Sequence, residues 1–288
     1  MSNPSSPNST RDPRSSLTDA ISAVISITNA RDKARATRDL VARWHNGDHA
    51  EMGITTPPDR PGRPAAPELR PPRDVPRRRI TQSAPGRIAL IHAIAHIELN
   101  AIDLALDMAS RFVAHRLPRD FYVDWLSVAD DESRHFLMLA DRLGELGADY
   151  GDLPAHDGLW QAAQETAHDL LGRLAIAPLV LEARGLDVTP AMITKLESVG
   201  DDATAAALHI IMTDEVGHVA IGKKWFDYVC GMERRDPIST WQSLVGTYFK
   251  GPLKPPFNIA ARTAANFAAA FYKPMTERND LYDLPVRN

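Results

Sequence analysis

The chain has 288 residues, 44% of them hydrophobic and 24% charged, with a formal charge of −4. Those proportions suffice for a sizeable core beneath a soluble surface, and the acidic balance argues against a global preference for nucleic acid or an anionic membrane. Cys230 is the sole cysteine, so the chain alone builds no internal disulfide, zinc ribbon or iron–sulfur cluster.

The opening stretch MSNPSSPNSTRDPRSS lacks the apolar core of a secretory signal, and residues 1–16 are expected to form a disordered tail. No window approaches the ~18 unbroken apolar residues of a membrane span, so a soluble, cytoplasmic protein is expected. In the segment 17–50, Leu17, Ile21, Val24, Ile25 and Ile27 predict one amphipathic helix from Leu17 to about Trp44. The prolines of residues 51–86 remove donors and fix φ, which predicts an extended strap lying across the domain.

Residues 87–231 change character to long helical patterns with short breaks. Helices are predicted over about 87–115 and 118–146, the second opened by Pro118, and over about 158–184, ending at Gly185. Thr189-Pro190 then opens a separate short helix over 190–199 that stops near Gly200, and a fourth long helix covers about 201–230. Residues 232–288 form a C-terminal extension with helical stretches near 236–249 and 258–271. The fold class is all-α, with a four-helix bundle as its centre.

Glu132 and His135, three positions apart, share one helix face, and Glu215 and His218 repeat the spacing on the fourth helix. Glu98 lies in the apolar pattern of the first bundle helix, 34 positions before Glu132; Glu182 lies in that of the third, 33 before Glu215. One Glu-x-x-His is most often solvated surface, and one Glu in an apolar helix is usually an ion pair. Six in this order and spacing point instead to one shared site, because carboxylates in apolar faces are costly to bury unless paired or metal-bound. Four carboxylates and two imidazoles suit iron or manganese, and this ligand plan is that of di-iron and di-manganese carboxylate bundles. Two bridging carboxylates would hold the ions about 3.5–4 Å apart.

On HAIAHIELNAIDLALD, DWLSVADDESRHF, GDLPAHDGLW, LEARGLDVTP and DEVGHVAIG, the sequence resembles the ferritin-like superfamily. Over most of residues 40–275 it resembles an uncharacterised bacterial ferritin-like domain family. The resemblance implies metal ligation by Glu98, Glu132, His135, Glu182, Glu215 and His218, with Asp131 and Asp214 orienting the histidines. Arg134 matches an arginine of the first motif; Gly217 replaces it in the second, either leaving room beside a metal or allowing close packing.

The resemblance implies two metal ions, iron first, with manganese or a mixed Fe/Mn pair as alternatives. It implies a dioxygen-dependent oxidoreductase acting on a small organic substrate, with an electron-donor protein as partner and a monomer or homodimer as the working form. Iron oxidation and storage is the second reading, and a tRNA-modifying hydroxylase the third, the latter needing Arg70, Arg73, Arg77, Arg78 and Arg79 to meet phosphates. The position one turn after Glu182 is Leu186 where superfamily hydroxylases often carry a threonine. His92 and His96 are read as core or interhelix hydrogen-bonding groups before a second metal pair, and His168 as structural. Trp125 and Trp225 are read as core, and Pro178 as a local disturbance of the third helix.

Overall fold

A computed structural model describes residues 15–49, 51–76, 79–250 and 252–276. The predicted tail lies outside them except for its last two residues. Helix α1 (Leu17–Ile25) opens on a reciprocal cap, in which Ser16 Oγ accepts from the Asp19 amide and Asp19 accepts from the Ser16 amide. The single helix expected from Leu17 to Trp44 is divided: α1 ends at Ile25 and α2 (Ala30–His45) restarts where Asn29 caps the Asp32 amide. Apolar periodicity continues through the break, and the local cap decides the boundary.

The bundle consists of α3 (Ala84–Arg111), α4 (Arg119–Glu145), a composite third helix, and α8 (Asp202–Glu233). Helix α3 is buried on nearly every side from Ala89 to Ser110, as expected of a central helix. By length and composition it could cross a membrane, but 83% of its most apolar window lies inside the bundle. Helix α2 packs on α4 and α1 on α3. Among the described residues there is no β-sheet, only a single bridge between Leu69 and Ala155.

Among the described residues of 51–83 there is no helix apart from a short 3-10 turn at Pro72–Asp74. Arg63 ion-pairs with Asp103 at 2.5 Å and donates to Asn100 Oδ1 at 2.7 Å, so this segment is pinned to α3. Lys33 Nζ donates to Asp103 Oδ1 and to the Gly62 carbonyl, joining α2 to the same point. Trp160 Nε1 and Arg111 donate to the carbonyls of Asp59 and Pro58.

The third bundle helix differs most from expectation. It begins with α5 (Gly158–Glu165), turns into α6 (Leu170–Ile176), passes through a π-helical segment (Ala177–Glu182), and continues as α7 (Ala183–Ser198). The predicted stop at Gly185 and the separate helix over 190–199 are therefore incorrect. Pro190 sits inside α7, where it frees the carbonyl of Leu186. Asn258 Nδ2, from the C-terminal extension, donates to that carbonyl at 3.2 Å. Asp187, on the next residue, accepts from the Asn258 amide at 2.9 Å and from Arg262 at 2.9 and 2.7 Å. A remote segment thus supplies what the proline removes.

The turn at Gly200 (φ +75°) reverses the chain into α8, capped by Asp201. At ~1.5 Å per residue, α7 carries the chain roughly 24 Å beyond Glu182, and α8 brings it back roughly 20 Å to Glu215. The two carboxylates return to one level without a separate descending helix. Beyond the bundle, α9 (Pro237–Tyr248) packs on α6, and α10 (Ile259–Ala264), α11 (Ala269–Tyr272) and a 3-10 turn at Lys273–Thr276 complete the described chain.

One buried ion-pair network stiffens α3 against α6. Asp107 accepts from Arg111 Nε at 2.9 and 3.0 Å and pairs with Arg173, which also donates to Thr166 Oγ1. Arg173 is 1% exposed, so Asp107→Ala leaves a buried guanidinium without its carboxylate. Removing one partner of such a pair typically costs ~3–5 kcal/mol. Urea unfolding should show that loss, and a midpoint within error of wild type would refute it.

Candidate metal centre

Glu98 has no solvated face to occupy on α3, and it is 3% exposed. Glu132 and His135 lie at 0% on α4, brought to one face by their three-residue spacing. Glu215 and His218 enter from α8. Ligand atoms of Glu98, Glu132, His135 and Glu215 all lie within 4.8 Å of one another.

Glu132 is the hub. Its Oε2 lies 3.4 Å from His135 Nδ1, and its Oε1 lies 3.0 Å from His218 Nδ1. Glu98 Oε2 stands 3.2 Å from His135 Nδ1, and Glu215 Oε1 stands 3.7 Å from His218 Nδ1. Glu182 is outside the tightest set of four but completes the group, placed at the end of the π segment beside Glu215 and Glu132. All six sequence-predicted residues therefore meet in one volume.

Behind the imidazoles the support is crossed. His135 Nε2 of α4 lies 2.9 Å from Asp214 Oδ2 of α8, and His218 Nε2 of α8 lies 3.4 Å from Asp131 Oδ2 of α4. Arg134 bridges the two aspartates, at 3.2 Å from Asp131 and 2.5 Å from Asp214. With Nε2 occupied by carboxylate on both rings, Nδ1 is the atom turned to the cluster. Gly217 is exposed and a Cβ there would meet no atom within 4 Å, which removes the close-packing explanation for it.

Burial, followed by the Glu132 charge, holds the Glu98 carboxyl well above its ordinary 4.5. Burial and the charge of Glu215 do the same to Glu182, and burial with Glu132 raises Glu215. Burial works to raise Glu132 too, but His218 and His135 outweigh it and hold it below 4.5. Burial opposes the His135 imidazolium, yet Glu132 and Glu98 raise it from 6.5 to about 11. Burial is likewise outweighed at His218, which Glu132 and Asp131 hold well above 6.5. Glu182 Oε2 and Glu215 Oε2 are buried without a hydrogen-bond partner, and Glu132 Oε1 and His218 Nδ1 face each other at 3.0 Å without the geometry of a good hydrogen bond. Orphaned hard-oxygen and imidazole donors at this density fit two divalent cations and leave little else to satisfy them.

The π segment sets Glu182 against α8 through one close approach. A Cβ on Gly222 would fall 2.3 Å from Pro178 Cβ and 2.5 Å from its Cγ. Gly222→Ala should therefore force the two elements apart at a cost of ~1–3 kcal/mol, read as a lowered denaturation midpoint; an unchanged midpoint would refute the contact's importance.

The remaining singled-out residues have plain partners. His96 Nδ1 lies 2.7 Å from Tyr150 Oη, and His92 Nε2 accepts from the Gly151 amide at 3.0 Å, so neither joins the cluster. Burial lowers His96 to about 3, keeping it neutral. His168 Nε2 lies 3.3 Å from Tyr248 Oη. Trp125 and Trp225 are buried, and Trp225 donates to Asp124 at 2.8 Å. Arg70 pairs with Glu68 and Arg73 with Asp74, while Arg77 and Arg78 lie outside the described residues. The sequence reading missed a cavity of about 270 Å³ that reaches Glu98, Glu132, Glu182 and Glu215. Its walls come from five separate stretches of chain, so no local pattern marks it.

Residues 26–273 match the family described as "Protein of unknown function (DUF455)", and the chain belongs to that family. The helical bundle and its buried acid–histidine cluster make it a ferritin-like domain. A Haemophilus influenzae relative described as "Uncharacterized protein" is 43% identical over 213 residues, covering 71% of this chain and 72% of that one. No solved structure matches the chain.

Proposed function

We propose that this member of the family is a di-metal carboxylate oxidoreductase that uses dioxygen to hydroxylate or otherwise oxidise a small organic molecule. One observation carries the reading: the cluster adjoins an apolar cavity of about 270 Å³. Iron passing to a store needs a polar route, whereas oxidation of an organic molecule needs dry room beside the metals. Glu98, Glu132, His135, Glu182, Glu215 and His218 would hold two ions, iron first, with manganese or a mixed pair as alternatives. Held there, the ions would supply dioxygen activation.

The chain's own part is positional and electrostatic. Glu132 spans the two histidines, the crossed Asp131 and Asp214 hold each ring, and the apolar walls keep bulk water from the reacting end. For hydroxylation the balance is R–H + O2 + 2 H+ + 2 e− giving R–OH + H2O, with both electrons drawn from an external donor protein. The setting proposed is the cytoplasm, as a monomer or homodimer.

Elemental analysis of protein purified without chelator, followed by oxygen-consumption assays with reductant and candidate substrates, tests the reading. Two iron or manganese ions per chain and substrate-stimulated oxygen uptake are expected. Protein that neither carries nor takes up these metals would overturn it, and elution as a large hollow iron-filled assembly would replace it with storage.

A further inference from the structure

The cavity beside the cluster lies between α3, α4, α5, the π segment, α7 and α8. Ile94, Ile97, Leu159, Val188, Met192 and Ile211 are among its apolar lining residues. Apart from the four carboxylates at the inner end, its polar lining side chains are Arg184 and Thr189. Arg184 is already engaged, donating to the carbonyls of Lys254 at 2.7 Å and Pro256 at 3.3 Å, with Asp187 3.6 Å away. Ile97 is 37% exposed, so the apolar lining continues to the surface of α3.

Size and charge narrow the occupant. A cavity of ~150 Å³ takes benzene, so a space of about 270 Å³ suits roughly ten to twelve non-hydrogen atoms. Two divalent ions among four carboxylates and two neutral imidazoles sum to zero charge. A charged ligand would therefore gain no net attraction from the loaded centre and would lose its water to apolar walls.

One residue beside the cluster governs the room available. Gly185 lies on the α7 turn directly after Glu182 and lines the cavity. A Cβ built there meets no atom within 4 Å, so what the missing side chain leaves is open space. Its φ is not in the left-handed region, and its place inside a helix gives no conformational reason for glycine.

We propose that this cavity is the binding pocket for a neutral, predominantly apolar molecule of about ten to twelve non-hydrogen atoms, and that Gly185 sets the pocket's size beside the carboxylates. The substrate role of that molecule rests on the di-metal reading above; the pocket's size and polarity do not.

Naphthalene, with ten carbons, and 1-naphthoate, its charged counterpart, serve as probes in equilibrium dialysis against protein loaded with Mn(II). Naphthalene should bind at least tenfold more tightly than 1-naphthoate. Gly185→Leu should weaken naphthalene binding at least tenfold, with Gly185→Ala intermediate. Both variants should keep the wild-type metal content, and both replace a mid-helix glycine with a better helix former, so their melting midpoints should not fall. Equal or tighter binding of 1-naphthoate, or an unchanged naphthalene affinity in folded Gly185→Leu, would overturn the proposal. Protein that takes two metals but no naphthalene would sink the pocket and leave the centre. Naphthalene binding without metal uptake would support the pocket and sink the oxidoreductase reading.

Discussion

Glu132→Ala is expected to empty the centre of both metals. Each oxygen of this carboxylate faces a different histidine, Oε2 toward His135 and Oε1 toward His218, so one side chain serves both halves of the cluster. Glu98 and Glu215 each approach one histidine of the pair. Metal content should fall from two ions per chain toward none in Glu132→Ala, and less completely in Glu215→Ala. Without metal the same substitution leaves two buried imidazoliums lacking their shared counter-charge, a loss of ~3–5 kcal/mol by analogy with broken buried pairs. Cys230→Ser is the control, since Cys230 lies twelve positions beyond His218 on α8, roughly 18 Å along the helix. Elemental analysis of the three variants settles the matter, and two ions retained in Glu132→Ala would disprove the hub role.

Removing the metals should lower the melting midpoint steeply, and more so at higher pH. Each ion bound only by the folded chain contributes ~4 kcal/mol when free metal exceeds its Kd a thousandfold. Without metal, Glu98, Glu182, Glu215, His135 and His218 all have folded pKa values above their ordinary ones. Groups raised on folding stabilise fully below the unfolded pKa and lose that contribution as pH rises through the folded one. The carboxylates therefore begin to lose it above 4.5, and His135 loses it between 6.5 and about 11. Glu132, held low, has the opposite sign: its contribution is present above 4.5 and lost on acidification. Between about pH 5 and about pH 9 Glu132 no longer changes, while buried His92 and His96, lowered on folding, gain stabilisation only up to 6.5. The five raised groups outweigh those two, so the metal-free chain should lose stability from about pH 6.5 upward. Metal competes with the same protons, so the loaded form moves the other way. Midpoints measured with and without chelator at about pH 6 and about pH 8 should diverge. A gap that narrows with pH would show the carboxylates to be solvated or otherwise neutralised.

What the sequence determined by itself was whatever depends on near neighbours. Glu132 with His135, and Glu215 with His218, share a face because a helix places positions three apart together. Glu98 lies inside a largely apolar pattern, which marks it for burial on a helix enclosed on nearly every side. Asp131 and Asp214 each precede a motif glutamate by one position and match the family pattern, but that each holds the other helix's histidine, 87 and 79 positions away, was decided by the packing of α4 on α8. Tertiary structure decided the rest. Whether α7 would continue past Gly185 and Pro190 depended on Asn258, 72 positions away, which meets the carbonyl the proline frees. The π segment that presents Glu182 lies against α8 at Gly222, a contact no spacing rule encodes. The cavity belongs wholly to this second class. Gly185 reads in sequence as a helix end, and only the packing of α3, α5 and α8 around α7 turns its missing side chain into room for a ligand, because a void is a property of several surfaces together and of no one of them.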